Sequence, residues 1–289
     1  MKTYLDCIAC GVRQALEAAR RVSDDPEFHE RILRETLEKL ARMDYCLPPP
    51  AIARDIHRLT RSLSGVEDPF FEDKRRFNNY VLDRLDHYKS MVSSSPDPFE
   101  TALRLALAGN VIDLGVRSEI EESEVESTVS QALEAELDRE AVEDFRKTLQ
   151  NARNVLYVAD NAGEIVFDRL LIETILDRQG APEICLLVRG QPILNDVTAE
   201  DASLVGIDKI CRVVDNGTDS PGTILEDCSP ECLAEFERAE LVISKGQGNY
   251  ETLSELEQDT FFLLKVKCPV IARDIGSELG RFLVLRNRR

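Results

Sequence analysis

Apolar residues recur every three or four positions through the first third of the chain, which is the spacing of helices that bury one face. Such series over residues 5–19 and 28–40 predict the first two helices. Three prolines at 48–50 are predicted to end this stretch, and further helices are predicted over residues 51–63 and about 70–91. The front of the chain is therefore predicted to be helical throughout.

The segment 93–98 consists of serine, proline and aspartate, a composition typical of a linker. It divides the chain into a predicted N-terminal α-helical domain over residues 1–95 and a second domain over residues 96–289. The second domain is predicted to begin with helices over residues 99–108 and 124–150.

From residue 154 the spacing changes to short apolar runs rich in β-branched residues, which suit strands buried on both faces. Predicted helices over residues 165–176 and 230–239 separate several of these runs. Alternation of strand and helix predicts an α/β fold with a parallel sheet and right-handed crossovers. The predicted strands are residues 155–159, 184–188, 210–214, 241–244 and 270–272, with a sixth at 282–285.

The charge and hydropathy of the chain exclude several classes of partner. Acidic residues number 54 and basic residues 36, which gives a net charge of −18 at pH 7. A protein this acidic has no electrostatic basis for binding nucleic acid or an anionic membrane surface. The apolar runs are far shorter than the ~20 residues of a membrane-spanning helix, and the first residues lack the apolar stretch of a signal peptide. We therefore expect a soluble, cytoplasmic protein.

Polar residues cluster where the predicted strands end. The clusters are residues 160–164, 189–196, 215–217, 245–249 and 273–276. Ligands of an open parallel sheet bind beyond the carboxyl ends of its strands, so these clusters predict a lined pocket at one edge. The three histidines, His29, His57 and His87, all precede the predicted sheet, so a metal site there must be built without local histidine.

The chemistry of these clusters suits a metal ion and a phosphate group. Asp160, Asn161 and Asp196 offer hard oxygen ligands, which suit Mg²⁺ or Mn²⁺. A second set offers a point charge and backbone N–H donors for an anion: Lys245, Gly246 and Gly248, together with the helix that begins near Gly163. From spacing alone, a helix N-cap at Asp160 and ordinary turns elsewhere explain the same residues.

Four motifs, in the order in which they occur along the chain, resemble those of the DUF89 proteins, also called damage-control phosphatases or the ARMT1-like family. They are the segments 108–113, 160–164, 189–196 and 245–249. The Cys7-x-x-Cys10 pair is similar to that of the archaeal and bacterial branch of this family. The resemblance extends over nearly the whole chain.

The resemblance implies a three-layer α/β/α sandwich with a mainly parallel, Rossmann-like sheet and an appended N-terminal helical domain. It further implies a phosphatase that hydrolyses small phosphomonoester metabolites and depends on Mn²⁺, Ni²⁺, Co²⁺ or Mg²⁺. The metal ligands of the family correspond to Asp160, Asn161 and Asp196, and its phosphate-contacting lysine to Lys245.

A mechanism follows as a hypothesis, in which a metal-activated water attacks phosphorus. Asp160, Asp196 and Lys245 are the catalytic candidates; either aspartate orients the water, or one of them attacks directly. Arg189 is either a further cation for the substrate or the partner of a nearby acid. The remaining candidates for substrate binding are Asn110, Asp113, Glu164, Asn195, Gly246, Gly248 and Asn249.

A transferase that uses a phosphoryl or methyl donor remains an alternative enzyme, and two other classes of function are also open. The first is a non-catalytic protein that binds a phosphorylated metabolite or a nucleotide in the same pocket. The second is a zinc or redox protein that uses Cys7 and Cys10, with Cys228 and Cys232 as a possible second pair of thiolates. The sequence carries no signal for an oligomeric state.

Overall fold

The computed structural model describes residues 1–109 and 122–287. Eight α-helices precede the first strand in the described part of the chain. They are α1 (Leu5–Val22), α2 (Pro26–Leu40), α3 (Pro49–Ser64), α4 (Phe71–Leu82), α5 (Leu85–Ser93), α6 (Pro98–Gly109), α7 (Glu122–Glu134) and α8 (Arg139–Asn151).

The helical front follows the sequence pattern, with three differences at helix ends. The prolines at 49 and 50 do not end a helix but occupy the first turn of α3, where the missing N–H of proline has no helical partner to lose. The helix predicted over residues 70–91 is divided into α4 and α5. The helix predicted over residues 124–150 is divided into α7 and α8, because Asp138 caps a new helix by accepting hydrogen bonds from two backbone N–H groups.

The described residues contain six strands, which form one sheet in the order β3-β2-β1-β4-β5-β6. The first five strands are parallel, and β6 runs antiparallel to β5. The strand order reverses between β1 and β4, which is where open α/β sheets bind their ligands. The strands are β1 (Asn154–Val158), β2 (Glu183–Val188), β3 (Arg212–Asp215), β4 (Leu241–Lys245), β5 (Thr260–Lys265) and β6 (Phe282–Arg286).

Five α-helices follow β1: α9 (Glu164–Leu176), α10 (Ala199–Leu204), α11 (Pro230–Arg238), α12 (Gly246–Leu253) and α13 (Pro269–Ile275), with 3₁₀ turns at Ile207–Lys209 and Leu225–Asp227. The strand predicted over residues 270–272 is wrong, since these residues lie in α13, which Pro269 begins. The fifth strand is instead β5, which contains the buried run 261–264. The polar cluster 273–276 therefore ends a helix and not a strand.

Helices cover both faces of the sheet. Alternate residues of β1 point in opposite directions: Val155 and Tyr157 pack in one apolar core, and Leu156 and Val158 in the other. The first core also contains side chains of α6, α8 and α9, and the second contains side chains of α11, α12 and α13. The expected three-layer α/β/α fold is confirmed. Among the described residues, no helix is long and apolar enough to cross a bilayer.

The apolar clusters divide the helical front unevenly. Side chains of α1, α2 and α3, such as Ile32 and Ile56, form a separate small cluster. Phe77 of α4 and Tyr88 of α5 belong instead to the core beneath the sheet. The domain boundary at residue 95 stays a prediction, and the cores associate α4 and α5 with the sheet.

Candidate active site

The loops that follow β1 and β2 are joined by backbone hydrogen bonds. Asn161 and Asp196 form an isolated antiparallel bridge. The Val197 N–H donates to the Asp160 carbonyl at 2.9 Å, and the Ala162 N–H donates to the Asn195 carbonyl at 2.8 Å. Because these bonds fix the two loops together, the expected convergence of Asp160, Asn161 and Asp196 occurs. All three line one cavity of about 440 Å³.

A strained turn brings Asp196 to this cavity. Leu194 has a φ of 47°, in the left-handed region that costs an L-residue about 1–2 kcal/mol. The Asp196 N–H closes the turn by donating to the Ile193 carbonyl at 3.1 Å. Leu194 also lines the cavity, so the strain lies directly at the candidate site.

Arg189 holds both aspartates from behind the cavity wall. Its Nε donates to Asp196 Oδ2 at 2.7 Å, and its Nη2 lies 3.9 Å from Asp160 Oδ1. Two further hydrogen bonds of 3.2 Å run from Nη1 to Thr223 Oγ1 and from Nη2 to Asn249 Oδ1. The guanidinium is therefore committed to protein partners, and the residue is only 1% exposed. Of the two roles foreseen for Arg189, the structure has the ion pair with a nearby acid.

Lys245 is buried in a second charged network. Its Nζ donates to Glu164 Oε1 at 2.6 Å, to the Ala106 carbonyl at 2.9 Å, and to Asp168 Oδ1. Burial alone would lower the pKa of Lys245, but the adjacent carboxylates outweigh it and the pKa is raised, so the side chain is a cation. Burial raises the pKa of Asp168 to about 6. All three ammonium hydrogens thus have partners inside the protein.

The two networks meet at Asn161. Its Nδ2 donates to Asp160 Oδ2 at 2.7 Å and to Glu164 Oε2 at 3.2 Å. These bonds use the amide hydrogens and leave the Asn161 carbonyl oxygen as the acceptor of the side chain. The orientation of the predicted metal ligands therefore depends on the buried charges around Lys245.

Helix α6 ends directly on the first turn of α9, and only glycine permits this approach. A Cβ at Gly109 would lie 2.8 Å from Glu164 Cγ and 2.9 Å from Glu164 Cα. The close packing also brings the Ala106 carbonyl to Lys245. Asn110 and Asp113, which continue this motif, lie outside the described residues.

The glycine-rich segment after β4 opens α12 beside the cavity. Gly246 has a φ of 76°, which suits glycine, and it begins the helix. Gly248 lines the cavity. Asn249 is fully buried, and its Nδ2 donates to the carbonyls of Ala159 and Lys245 at 3.0 and 2.8 Å. This amide joins the ends of β1 and β4 at the point where the strand order reverses.

The front wall of the cavity comes from α1 and α3 of the helical front. Of the predicted site residues, Asp160, Asn161, Asp196 and Gly248 line the cavity, as do Cys7 and Cys10. The other described candidates are buried behind its wall: Glu164, Arg189, Asn195, Lys245, Gly246 and Asn249. Sequence reasoning missed Arg13, Gln14 and Ile52 of the front wall, and it missed Glu251 and Lys267 on the side of the sheet.

The donor set fits a hard divalent cation. Asp160, Asn161 and Asp196 provide only oxygen donors, and water completes the coordination of such ions. Over residues 1–109 and 122–287, no group of three or more His, Cys, Asp or Glu side chains is arranged to hold a metal. A zinc site built from Cys7, Cys10, Cys228 and Cys232 therefore has no support in the described chain.

The fold and this site define a doubly wound α/β protein with an oxygen-rich acidic cavity at the reversal of its strand order. The chain belongs to the family described as the damage-control phosphatase ARMT1-like domain, which matches residues 3–283. The family suggested by the four sequence motifs is confirmed.

Relatives from three archaea match along almost their whole length. An uncharacterized protein of Methanocaldococcus jannaschii is 37% identical, covering 99% of this chain and 96% of the relative. A damage-control phosphatase of Pyrococcus horikoshii is 34% identical over 100% of this chain and 99% of the relative. A damage-control phosphatase of Archaeoglobus fulgidus is 35% identical over 97% of each chain. The crystal structure of a DUF89 family protein from Pyrococcus horikoshii superimposes with a TM-score of 0.89 at 31% identity over 100% of both chains.

Proposed function

We propose that the chain is a divalent-metal-dependent phosphatase that hydrolyses small phosphomonoester metabolites in the cytoplasm. The observation that carries this proposal is the convergence of Asp160, Asn161 and Asp196 on one cavity at the switch point of the sheet. Two relatives that match along almost their whole length are named damage-control phosphatases, which supports the same class of reaction.

Asp160, Asn161 and Asp196 would hold the cation, for which Mn²⁺, Ni²⁺, Co²⁺ and Mg²⁺ are the candidates. When bound, such a cation neutralises phosphate charge and lowers the pKa of water. Arg189 sets the direction of both carboxylates through its bond to Asp196 Oδ2 and its proximity to Asp160 Oδ1. Asp160 and Asp196 also remain the candidates for orienting the attacking nucleophile.

The first turn of α12 would bind the oxygens of the phosphate. Gly248 lines the cavity without a side chain, so the backbone can approach an anion closely, and the N-terminus of the helix carries partial positive charge. We assign Lys245 as a positioning residue rather than a phosphate ligand, because its ammonium already donates to Glu164, Asp168 and a backbone carbonyl. Its charge acts on the site through Glu164 and Asn161.

The test is release of inorganic phosphate from a panel of sugar and cofactor phosphates. Metal is first removed by chelation, and the four candidate cations are then restored one at a time. We expect release only after a cation is restored, and we expect Asp196→Ala to abolish it. Asp208→Ala is the matched control, because Asp208 is exposed and does not line the cavity.

Unchanged turnover in Asp196→Ala would overturn the assignment. Binding of the phosphates without release under any of the four cations would instead indicate a non-catalytic binding protein. Circular dichroism of both variants separates loss of the site from loss of the fold.

A further inference from the structure

The wall that α1 contributes to the cavity carries a cation, Arg13. Lys267 is the other basic residue in the lining, whereas Asp6 and Glu251 add acidic charge beyond the two aspartates of the candidate metal site. The protein as a whole carries a net charge of −18. An anion entering this cavity therefore meets an adverse field, which a positive group on the front wall would offset.

Arg13 has no acidic partner among the described residues, although acids outnumber bases in the chain. The guanidinium makes one weak contact, from Nη2 to Cys10 Sγ at 3.6 Å. The arginines of the neighbouring helix α3 are different: Arg54 pairs with Asp55 and Asp227, and Arg58 and Arg61 both pair with Asp219. Most of the donor capacity of Arg13 is thus available to a ligand.

The helix that carries Arg13 is a fixed support. Ala15 and Ala19 of α1 are fully buried in the small core of the helical front. Gly11 lets α1 approach α3 so closely that a Cβ there would lie 2.7 Å from Ile52 Cγ2. One face of α1 lines the cavity. Its residues there recur at intervals of three or four, as expected for one side of a helix: Cys7, Cys10, Arg13 and Gln14.

We propose that Arg13 binds a second anionic group of the substrate, a carboxylate or a further phosphate, while the reacting phosphate lies at Asp160, Asp196 and Gly248. The planar fork of arginine donors matches the oxygens of both groups. The preferred substrates are then phosphomonoesters that carry another anion. This inference rests on the proposed function for the location of the reacting phosphate, but its test measures binding and needs no turnover.

The test uses two matched pairs of probes in isothermal titration calorimetry. 3-Phosphoglycerate differs from glycerol 3-phosphate by a carboxylate, and glucose 1,6-bisphosphate differs from glucose 6-phosphate by a second phosphate. In at least one pair, we expect the wild type to bind the member with two anionic groups about tenfold more tightly than the member with one. A tenfold ratio corresponds to the contribution of about one charge-assisted hydrogen bond. The pair with the larger ratio identifies the anion.

Arg13→Gln is expected to abolish the affinity ratio without changing the affinity for the member that carries the phosphate alone. Arg13→Lys is expected to retain part of the ratio. Arg20→Gln is the matched control, since Arg20 is exposed on the same helix and does not line the cavity. A ratio of one in the wild type, or an unchanged ratio in Arg13→Gln, overturns the proposal. If phosphate is released but the two members of each pair bind equally, the proposed function stands and the role of Arg13 fails. If the affinity ratio is present but no phosphate is released, the role of Arg13 stands and the proposed function fails.

Discussion

Lys245 and Glu164 form an ion pair of 2.6 Å in which neither side chain has any exposed surface. Lys245 is the last residue of β4, and Glu164 is the first residue of α9, the helix that follows the loop carrying Asp160 and Asn161. The pair therefore joins the two sides of the point where the strand order reverses. Its geometry reaches the candidate metal ligands through the hydrogen bond from Asn161 to Glu164.

Removing the lysine should be costly. Lys245→Met leaves the carboxylates of Glu164 and Asp168 buried without their cation, and breaking such a pair from one side costs about 3–5 kcal/mol. We expect the free energy of unfolding in urea to fall by about this amount. Lys209→Met, which changes an exposed lysine, should alter it by less than about 0.5 kcal/mol. Equal stability of the two variants would contradict the buried network.

Two of the glycines at the site, Gly109 and Gly248, should respond differently to alanine. Gly109→Ala places a Cβ 2.9 Å from Glu164 Cα, so α6 must move, and we expect a loss of about 1–3 kcal/mol together with reduced activity. In Gly248→Ala the added Cβ meets only Gly222, with N at 3.5 Å and Cα at 3.8 Å, which are ordinary contacts. We expect that variant to keep its stability but to bind phosphate more weakly, because the added methyl group lies between Gly248 and Gly222, which both line the cavity. Denaturant melts and phosphate binding distinguish the two effects.

Arg189→Lys tests the support of Asp196. A lysine ammonium lacks the planar fork that reaches Asp196, Thr223 and Asn249 together, so the aspartates should lose their fixed direction. We expect the affinity for the cation to fall about 10- to 100-fold, as for other residues that orient metal ligands. Arg238→Lys, at an exposed pair with Glu183, is the control and should leave metal affinity unchanged. Equal metal affinity in both variants would argue against the role of Arg189.

His57 should make the protein less stable in mild acid. Burial lowers the pKa of His57 to about 4, with the charges of Arg61 and Arg21 acting in the same direction, against an ordinary value of 6.5. The unfolded chain therefore binds the proton first, and stability present above about pH 6.5 is lost as the pH falls towards 4. The loss attributable to His57 is about 2 kcal/mol at pH 5.

The measurement is the free energy of unfolding at pH 7.5 and pH 5 in the wild type, in His57→Gln and in His87→Gln. We expect the difference between the two pH values to shrink only in His57→Gln, because His87 is exposed. If the free energy of unfolding in His57→Gln still falls by the same amount between pH 7.5 and pH 5, groups other than His57 cause the pH dependence.

The cysteines at the cavity should differ in reactivity. Burial raises the pKa of Cys7 to about 11, so little of it is thiolate near neutral pH, whereas Cys10 is exposed. We expect iodoacetamide to modify Cys10 well before Cys7, as measured by peptide mass spectrometry. Faster labelling of Cys7 would favour the redox hypothesis. Zinc analysis of Cys7→Ser and Cys10→Ser tests the hypothesis of a zinc site at these cysteines. That hypothesis requires stoichiometric zinc in the wild type and its loss in the variants.

The residues that the sequence predicts best are those fixed by local pattern. Asp160 lies two residues after β1, and the segment 189–196 begins directly after β2. Because parallel strands bring their carboxyl ends to one edge, the convergence of these two segments was predictable, whereas the turn at Leu194 that brings Asp196 to the cavity was not. The strand predicted over residues 270–272 failed because a three-residue apolar run does not distinguish a strand from a short helix, and Pro269 favours the helix.

The direction of Lys245 depended on information that no local pattern contains. Strand alternation places it on the same face as Leu241 and Ile243, but whether solvent, substrate or carboxylates cover that face depends on α6 and α9. The same applies to Arg13. The amphipathic pattern of α1 predicts which residues are buried, and only its packing against α3 determines which of the others face the cavity.

The small core of α1, α2 and α3 is separate from the cores that cover the sheet, yet these helices supply the front wall of the cavity. Ion pairs cross this seam, where Arg58 and Arg61 of α3 both bind Asp219. Under the proposed function, Asp160 and Asp196 carry the reaction, and α1 to α3 govern which substrates reach them. Exchanging α1 to α3 between relatives should therefore transfer substrate choice while the chemistry stays in place.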